Sequence, residues 1–177
     1  MWQSLYKKDT FDGIQIDQQR LNSTDPVESF LYMEIINVKE ILYYVNESLM
    51  TIMKILQGTE MLTPKSQKEA TELLKGAIPA TWESKWEGPS NPSQWISIVN
   101  KKAMALLNWM MKSQQGQLLE SSLNLSDLFH PETFLNALRQ RSARQLKIAI
   151  DELKLVSSFD QSKIRRDTCV SLEGLWL

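Results

Sequence analysis

The sequence predicts a mainly α fold: a helical bundle-like domain followed by a short C-terminal β-hairpin. Three features predict it. An apolar stripe of helical period runs from Leu31 to Leu56. Proline stands at the first position of a prospective helix at Pro26, Pro64, Pro92 and Pro131. Near the C-terminus, apolar and polar residues begin to alternate, which is the period of a strand. The protein has 177 residues, 42% hydrophobic and 23% charged, enough for one medium-sized domain or two small subdomains.

Residues 1–24 are polar and mixed and read as a linker or incomplete helix. Asp25-Pro26-Val27-Glu28 then gives a cap, a proline at the first helical position and an acid placed to close a capping box. The first helix should run to about Gln57 and stop at Gly58. Its stripe is Leu31, Ile35, Val38, Leu42, Val45, Leu49, Ile52 and Leu56, with steps of four and three that keep one face. Phe30, Ile41 and Met53 widen that face beyond a coiled-coil seam, so packing inside a domain is expected rather than a free dimeric coil.

A second helix should start at Thr63-Pro64 and end near Gly76, with Ala70, Leu73, Leu74 and Ala77 as its modest face. Residues 78–92 hold Pro79, Gly88, Pro89 and Pro92 and read as loop. Trp82 and Trp86 sit in it, either as plugs over a core or as anchors for a partner. Asn91-Pro92-Ser93-Gln94 opens a third helix, to about Gln115 before Gly116, with Ile96, Val99, Ala103, Leu106 and Met110 inward. Residues 118–129 are mixed, with room for a short extended piece. His130-Pro131-Glu132 opens a fourth helix, to Gln145 or beyond, burying Phe134, Leu135 and Leu138. Segments 153–159 and 169–177 read as two strands around a basic turn. The expected organisation is thus a linker over 1–24, a helical part over 25–152 and a hairpin over 153–177.

The chemistry is mostly exclusions. The net charge of −1 argues against nucleic acid, whose binders carry a basic excess. There is one cysteine, Cys169, and one histidine, His130, so neither an internal disulfide nor the usual zinc ligand set can form, which suits a reducing compartment. No signal pattern opens the sequence and no apolar run approaches the roughly 20 residues of a membrane span, so no membrane partner is expected. The sequons at Asn22, Asn46 and Asn124 read as chance in such a protein. Six scattered glycines form neither a Walker A loop nor a dinucleotide fingerprint, so no cofactor is expected. A Cys169–His130 dyad would need both residues to meet in space; a buried thiol and a helix cap are the simpler readings. Arg139, Arg141, Arg144 and Lys147 form a basic cluster, either a solvated face or a docking surface for acids on a neighbouring module. No catalytic or metal residue is assigned.

A resemblance adds to this. Pro79-Ala80-Thr81-Trp82 with Pro92-Ser93-Gln94-Trp95, then Leu107-Asn108-Trp109, then Leu125 to Leu135 through Phe129-His130-Pro131 and Phe134, then Ala143-Arg144, and last Val170 to Leu177 around Gly174 resemble successive motifs of the C-terminal domains of dynein heavy chains. Trp82 to Pro89 and Asp127 to Gln140 are most similar to the cytoplasmic dynein 2 branch, the retrograde motor of intraflagellar transport. The resemblance covers roughly Asp25 to Leu177. It implies helices followed by a β-barrel, an aromatic strand at 125–129, and a non-catalytic domain lying across a ring of six AAA+ modules. ATP and magnesium would belong to those upstream modules. Partners would be the ring, other dynein subunits and, through the parent, microtubules; the location would be cytoplasm, cytoskeleton and cilium. Family-motif or interface positions would be Pro79, Trp82, Trp86, Trp95, Trp109, Phe129, Phe134, Arg139, Arg141, Arg144 and Gly174. The sequence stops at Leu177, where the family's strand continues, so the hairpin is expected to be the start of a barrel whose remainder is absent. A stand-alone helical adaptor is the competing reading.

Overall fold

The computed structural model describes residues 23–120, 123–153 and 172–173. The elements are α1 (Pro26–Leu56), α2 (Pro64–Leu74), α3 (Ala80–Glu83), α4 (Pro92–Gln114), β1 (Leu123–Asn124), α5 (Pro131–Leu146) and β2 (Leu172–Glu173). Single 3-10 turns stand at Leu118–Glu120, Leu125–Asp127 and Ile150–Glu152. The fold is mainly α, as the periodicity predicts.

The helix ends follow from local chemistry. At α1, Asp25 Oδ1 accepts the Val27 N–H at 2.9 Å, and Glu28 accepts the Ser23 hydroxyl at 2.6 Å. At α2, Thr63 and Ser66 form a reciprocal capping box. At α4, Asn91 Oδ1 accepts the N–H groups of Ser93 and Gln94. Gly58, Gly76 and Gly116 all adopt φ +72° just past α1, α2 and α4. The residue after each glycine donates back five positions, as Thr59 does to the Lys54 carbonyl, which satisfies carbonyls the helix leaves open. α5 ends the same way on a residue that lacks glycine's freedom: Lys147 has φ 55°, and Ile148 donates to Ala143.

Two local expectations are corrected. The stretch read as loop contains α3, one helical turn started by the Pro79 carbonyl accepting from Trp82 and Glu83. Four residues are too few to show a helical period. Where an aromatic strand is expected at 125–129, Leu125–Asp127 form a 3-10 turn, capped by Asn124 Oδ1 accepting from Ser126 N–H; the strand pairing is confined to 123–124. β2 pairs in parallel with β1, Leu123 opposite Leu172 and Asn124 opposite Glu173. The other expected hairpin strand lies, from residue 154 on, outside the described residues, as do residues 1–22, Cys169 and Gly174.

The described residues form two units, and α1 and α4 each run through both. The first comprises residues 36–103. Its core is Val38, Ile41, Leu42 and Val45 of α1, Trp82, and Trp95, Ile96, Val99 and Ala103 of α4. Burial along α1 fades after Ser48: Leu49 and Ile52 are half-buried and Leu56 is 82% exposed. The apolar face expected for α2 is also corrected. Leu74 is 89% exposed and Ala77 exposed, while Ser66 and Glu69 are the buried residues of that helix. Ala70 and Leu73 of the expected face are half-buried, and the buried carboxylate of Glu69 is a seat that periodicity of apolar residues cannot register.

The second unit comprises residues 23–35 with the described residues from 104 onward. It buries Val27, Phe30, Leu31, Tyr32 and Ile35 of α1, Leu106, Leu107 and Trp109 of α4, and Leu123, Leu128, Phe129, Phe134, Ala137 and Leu138 further on.

Candidate functional site

The tryptophans of the first unit form one cluster. Trp82 and Trp95 are fully buried, with ring centroids 5.8 Å apart; Trp86 is half-buried, 5.7 Å from Trp95. The Trp95 indole N–H donates to the Trp86 carbonyl at 3.2 Å. Gly88 lies beneath this group. A Cβ there would stand 2.5 Å from Trp86 Cζ3 and 2.8 Å from Trp95 Cδ1, closer than carbon atoms approach. Trp82 is fully buried and its ring packs on Trp95 of α4. Pro79 is buried at the start of the same turn.

Trp82 needs a partner for its buried indole N–H, and α1 supplies one. It donates to Ser48 Oγ at 3.3 Å, and Ser48 donates to Glu69 Oε2 at 2.7 Å. The other Glu69 oxygen accepts from Thr81 Oγ1 at 2.7 Å and Tyr44 OH at 3.2 Å. Glu69 is 3% exposed. Three hydroxyls, from α1 and from the Trp82 turn, thus solvate a buried carboxylate on α2. Such a charge is tolerated only when its lone pairs are met.

The second unit repeats the device with other residues. Glu34 of α1 is 2% exposed, its oxygens accepting from Phe129 N–H at 2.7 Å and His130 Nδ1 at 2.5 Å. A carboxylate only accepts, so the ring nitrogen facing it carries its hydrogen. His130 therefore does not cap α5 by side chain; it joins Phe129 in holding the carboxylate at the start of that helix. Phe134 sits fully buried between Phe30 at 5.6 Å and Trp109 at 5.4 Å, the latter edge-on.

The arginines of α5 are engaged within the molecule. Arg141 meets Asp25 at 3.3 Å, Arg144 donates to the Thr24 carbonyl, and Arg139 donates to the carbonyls of Ile150 and Leu153 at 3.3 Å. Two of them hold the entrance to α1, and the third holds the turn after α5. Among the described residues, no three His, Cys, Asp or Glu side chains gather to hold a metal ion, and no helix is long and apolar enough to cross a membrane.

The family model for the C-terminal domain of the dynein heavy chain matches residues 2–177. The protein belongs to this family. Cytoplasmic dynein 2 heavy chain 1 of Tripneustes gratilla is 41% identical over 163 residues, 92% of the sequence; that of Homo sapiens is 34% identical over all 177. Axonemal heavy chain 1 of Rattus norvegicus is 25% identical over 159 residues. The sequence spans about 4% of the length of the dynein 2 relatives it matches.

Within this dynein C-terminal domain, the motif tryptophans 82, 86 and 95 meet in one cluster, while sequence reading missed Glu34, Glu69 and Ser48. A signal existed. Glu34 follows Phe30 by four and Leu31 by three, and precedes Val38 by four, so it shares their buried face. An acid in phase with an apolar stripe needs donors, and the Phe129-His130 pair supplies them.

Proposed function

We propose that this protein is the non-catalytic C-terminal region of a dynein 2 heavy chain, which packs on the AAA+ ring and tunes a minus-end-directed microtubule motor of retrograde intraflagellar transport. The observation that carries this reading is the branch preference: relatives named cytoplasmic dynein 2 heavy chain 1 match at 33–41% identity, against 25% for the axonemal heavy chain. The interior chemistry supports a scaffold role. Both buried carboxylates are saturated by donors of the same polypeptide, and the tryptophans are used as packing. The sequence carries no phosphate-cradling glycine loop, so ATP and magnesium belong to modules upstream. The location that goes with this role is the cytoskeleton of cilia.

The test compares an intact heavy chain with one from which this domain is deleted, by single-molecule motility on microtubules. ATP hydrolysis should persist while stall force or run length changes. Unchanged motility, or loss of nucleotide binding with the domain, contradicts the proposal. The same experiment rejects the stand-alone adaptor reading if the domain alters the motor.

A further inference from the structure

Tyr44 lies half-buried on α1 with two lysines of other elements at its ring. Lys65 Nζ, on α2, is 4.9 Å from the ring centroid and Lys85 Nζ, after α3, is 5.6 Å from it. Lys102 Nζ stands 5.5 Å from the ring of Trp86, the residue next to Lys85. Cation–π pairs occur on the order of once per 70–80 residues. Here three fall within residues 36–103, two of them on one ring.

Lys65 and Lys85 bring their ammonium groups to the Tyr44 ring rather than into an ion pair. Among the described residues, neither Lys65 nor Lys85 has a carboxylate at ion-pair distance, although Glu40 and Glu47 share α1 with Tyr44. Glu69, one turn from Lys65, is buried with its oxygens occupied by Tyr44, Ser48 and Thr81, and acts on Lys65 through its charge without forming an ion pair with it. Hydrogen bonding to Tyr44 raises the Lys65 pKa above the ordinary lysine value, which keeps it charged. Two exposed ammoniums held at one ring repel one another, and an anion between them relieves that repulsion.

We propose that Lys65, Tyr44 and Lys85 form a docking site for an acidic peptide segment of a partner protein. An extended segment with acids at alternate positions presents carboxylates about 7 Å apart on one side, within the span open to two ammoniums that stand 4.9 Å and 5.6 Å from one ring centroid. Tyr44 supplies the flat surface between them, and the Glu69 bond fixes its orientation. The net charge of −1 disfavours nucleic acid as the occupant.

Octaglutamate labelled with a fluorophore, titrated with the 177-residue protein at low ionic strength and read by anisotropy, tests the site. Saturable binding is expected, weakened about tenfold in a Lys65→Ala/Lys85→Ala double variant, since each exposed ion pair is worth up to about fivefold. A Lys68→Ala/Lys75→Ala double variant removes the same charge from α2 and its end, and should shift binding less than about twofold. Absence of saturable binding, or equal weakening in both double variants, overturns the proposal. Helical circular dichroism confirms that each variant is folded.

Discussion

Gly88→Ala is the most demanding test of the tryptophan cluster. The added Cβ would lie 2.5 Å and 2.8 Å from Trp86 Cζ3 and Cη2 and 2.8 Å from Trp95 Cδ1. Ordinary carbon contacts lie near 3.5–4.0 Å, so the rings must retreat by about an ångström. Trp95 cannot retreat freely, because it is fully buried with its ring tilted against that of Trp82. The strain falls on half-buried Trp86, whose carbonyl also holds the Trp95 N–H. Overpacking of this kind costs about 1–3 kcal/mol. For a protein of this size each kcal/mol lowers Tm by about 2–4 °C, so a fall of roughly 4–8 °C is expected for a cost near 2 kcal/mol. Thermal unfolding followed by tryptophan fluorescence reads the fall in Tm, and urea unfolding reads the cost in free energy. The contact, not the backbone, should be responsible. Combining Gly88→Ala with Trp86→Leu should therefore cost less than the two single effects added together, by about 1 kcal/mol. A Gly88→Ala effect within about 0.5 kcal/mol of zero, or strict additivity of the pair, refutes the packing argument.

Three further outcomes follow from named contacts. Lys147→Gly should stabilise the protein by about 0.5–1 kcal/mol in thermal or urea unfolding, because it relieves a left-handed φ of 55° at the end of α5; a loss of stability would show that the lysine side chain itself stabilises that end. Glu34→Ala leaves the Phe129 N–H buried without its acceptor and should cost about 2–3 kcal/mol, whereas His130→Ala, at a side chain 58% exposed, should cost under about 1 kcal/mol; equal costs would contradict the assignment of Glu34 as the anchor. Glu69→Ala should cost about 2–4 kcal/mol and redden the tryptophan emission as the Ser48–Trp82 link loosens, and unchanged emission would separate Trp82 from the hydroxyl network.

How much of this is legible in the sequence depends on how local the cause is. The starts of α1, α2, α4 and α5 are legible because proline at the first position is a local steric signal, and three helix ends because glycine takes φ +72°. The end of α5 is less sharp because a lysine takes the left-handed position. The face of α2 escapes a reading by apolar period because its seat is a carboxylate meeting hydroxyls from residues 44, 48 and 81, which are distant in sequence. The parallel pairing of Leu123 with Leu172 joins segments about fifty residues apart, and no local pattern encodes a partner at that range. Resemblance marks Trp82, Trp95, Trp109 and Phe134 as family positions; packing explains why they are large, since each is buried against another aromatic ring.

Packing of this domain on the ring of a dynein 2 heavy chain, as proposed above, is open to test. Crosslinking mass spectrometry on that heavy chain, with a lysine-reactive reagent, addresses it directly. Lys68, Lys75, Lys101 and Lys147 are exposed and available to react. Reproducible crosslinks from these lysines to AAA+ modules are expected. Crosslinks confined to the domain itself, at a yield that labels all four lysines, would contradict it.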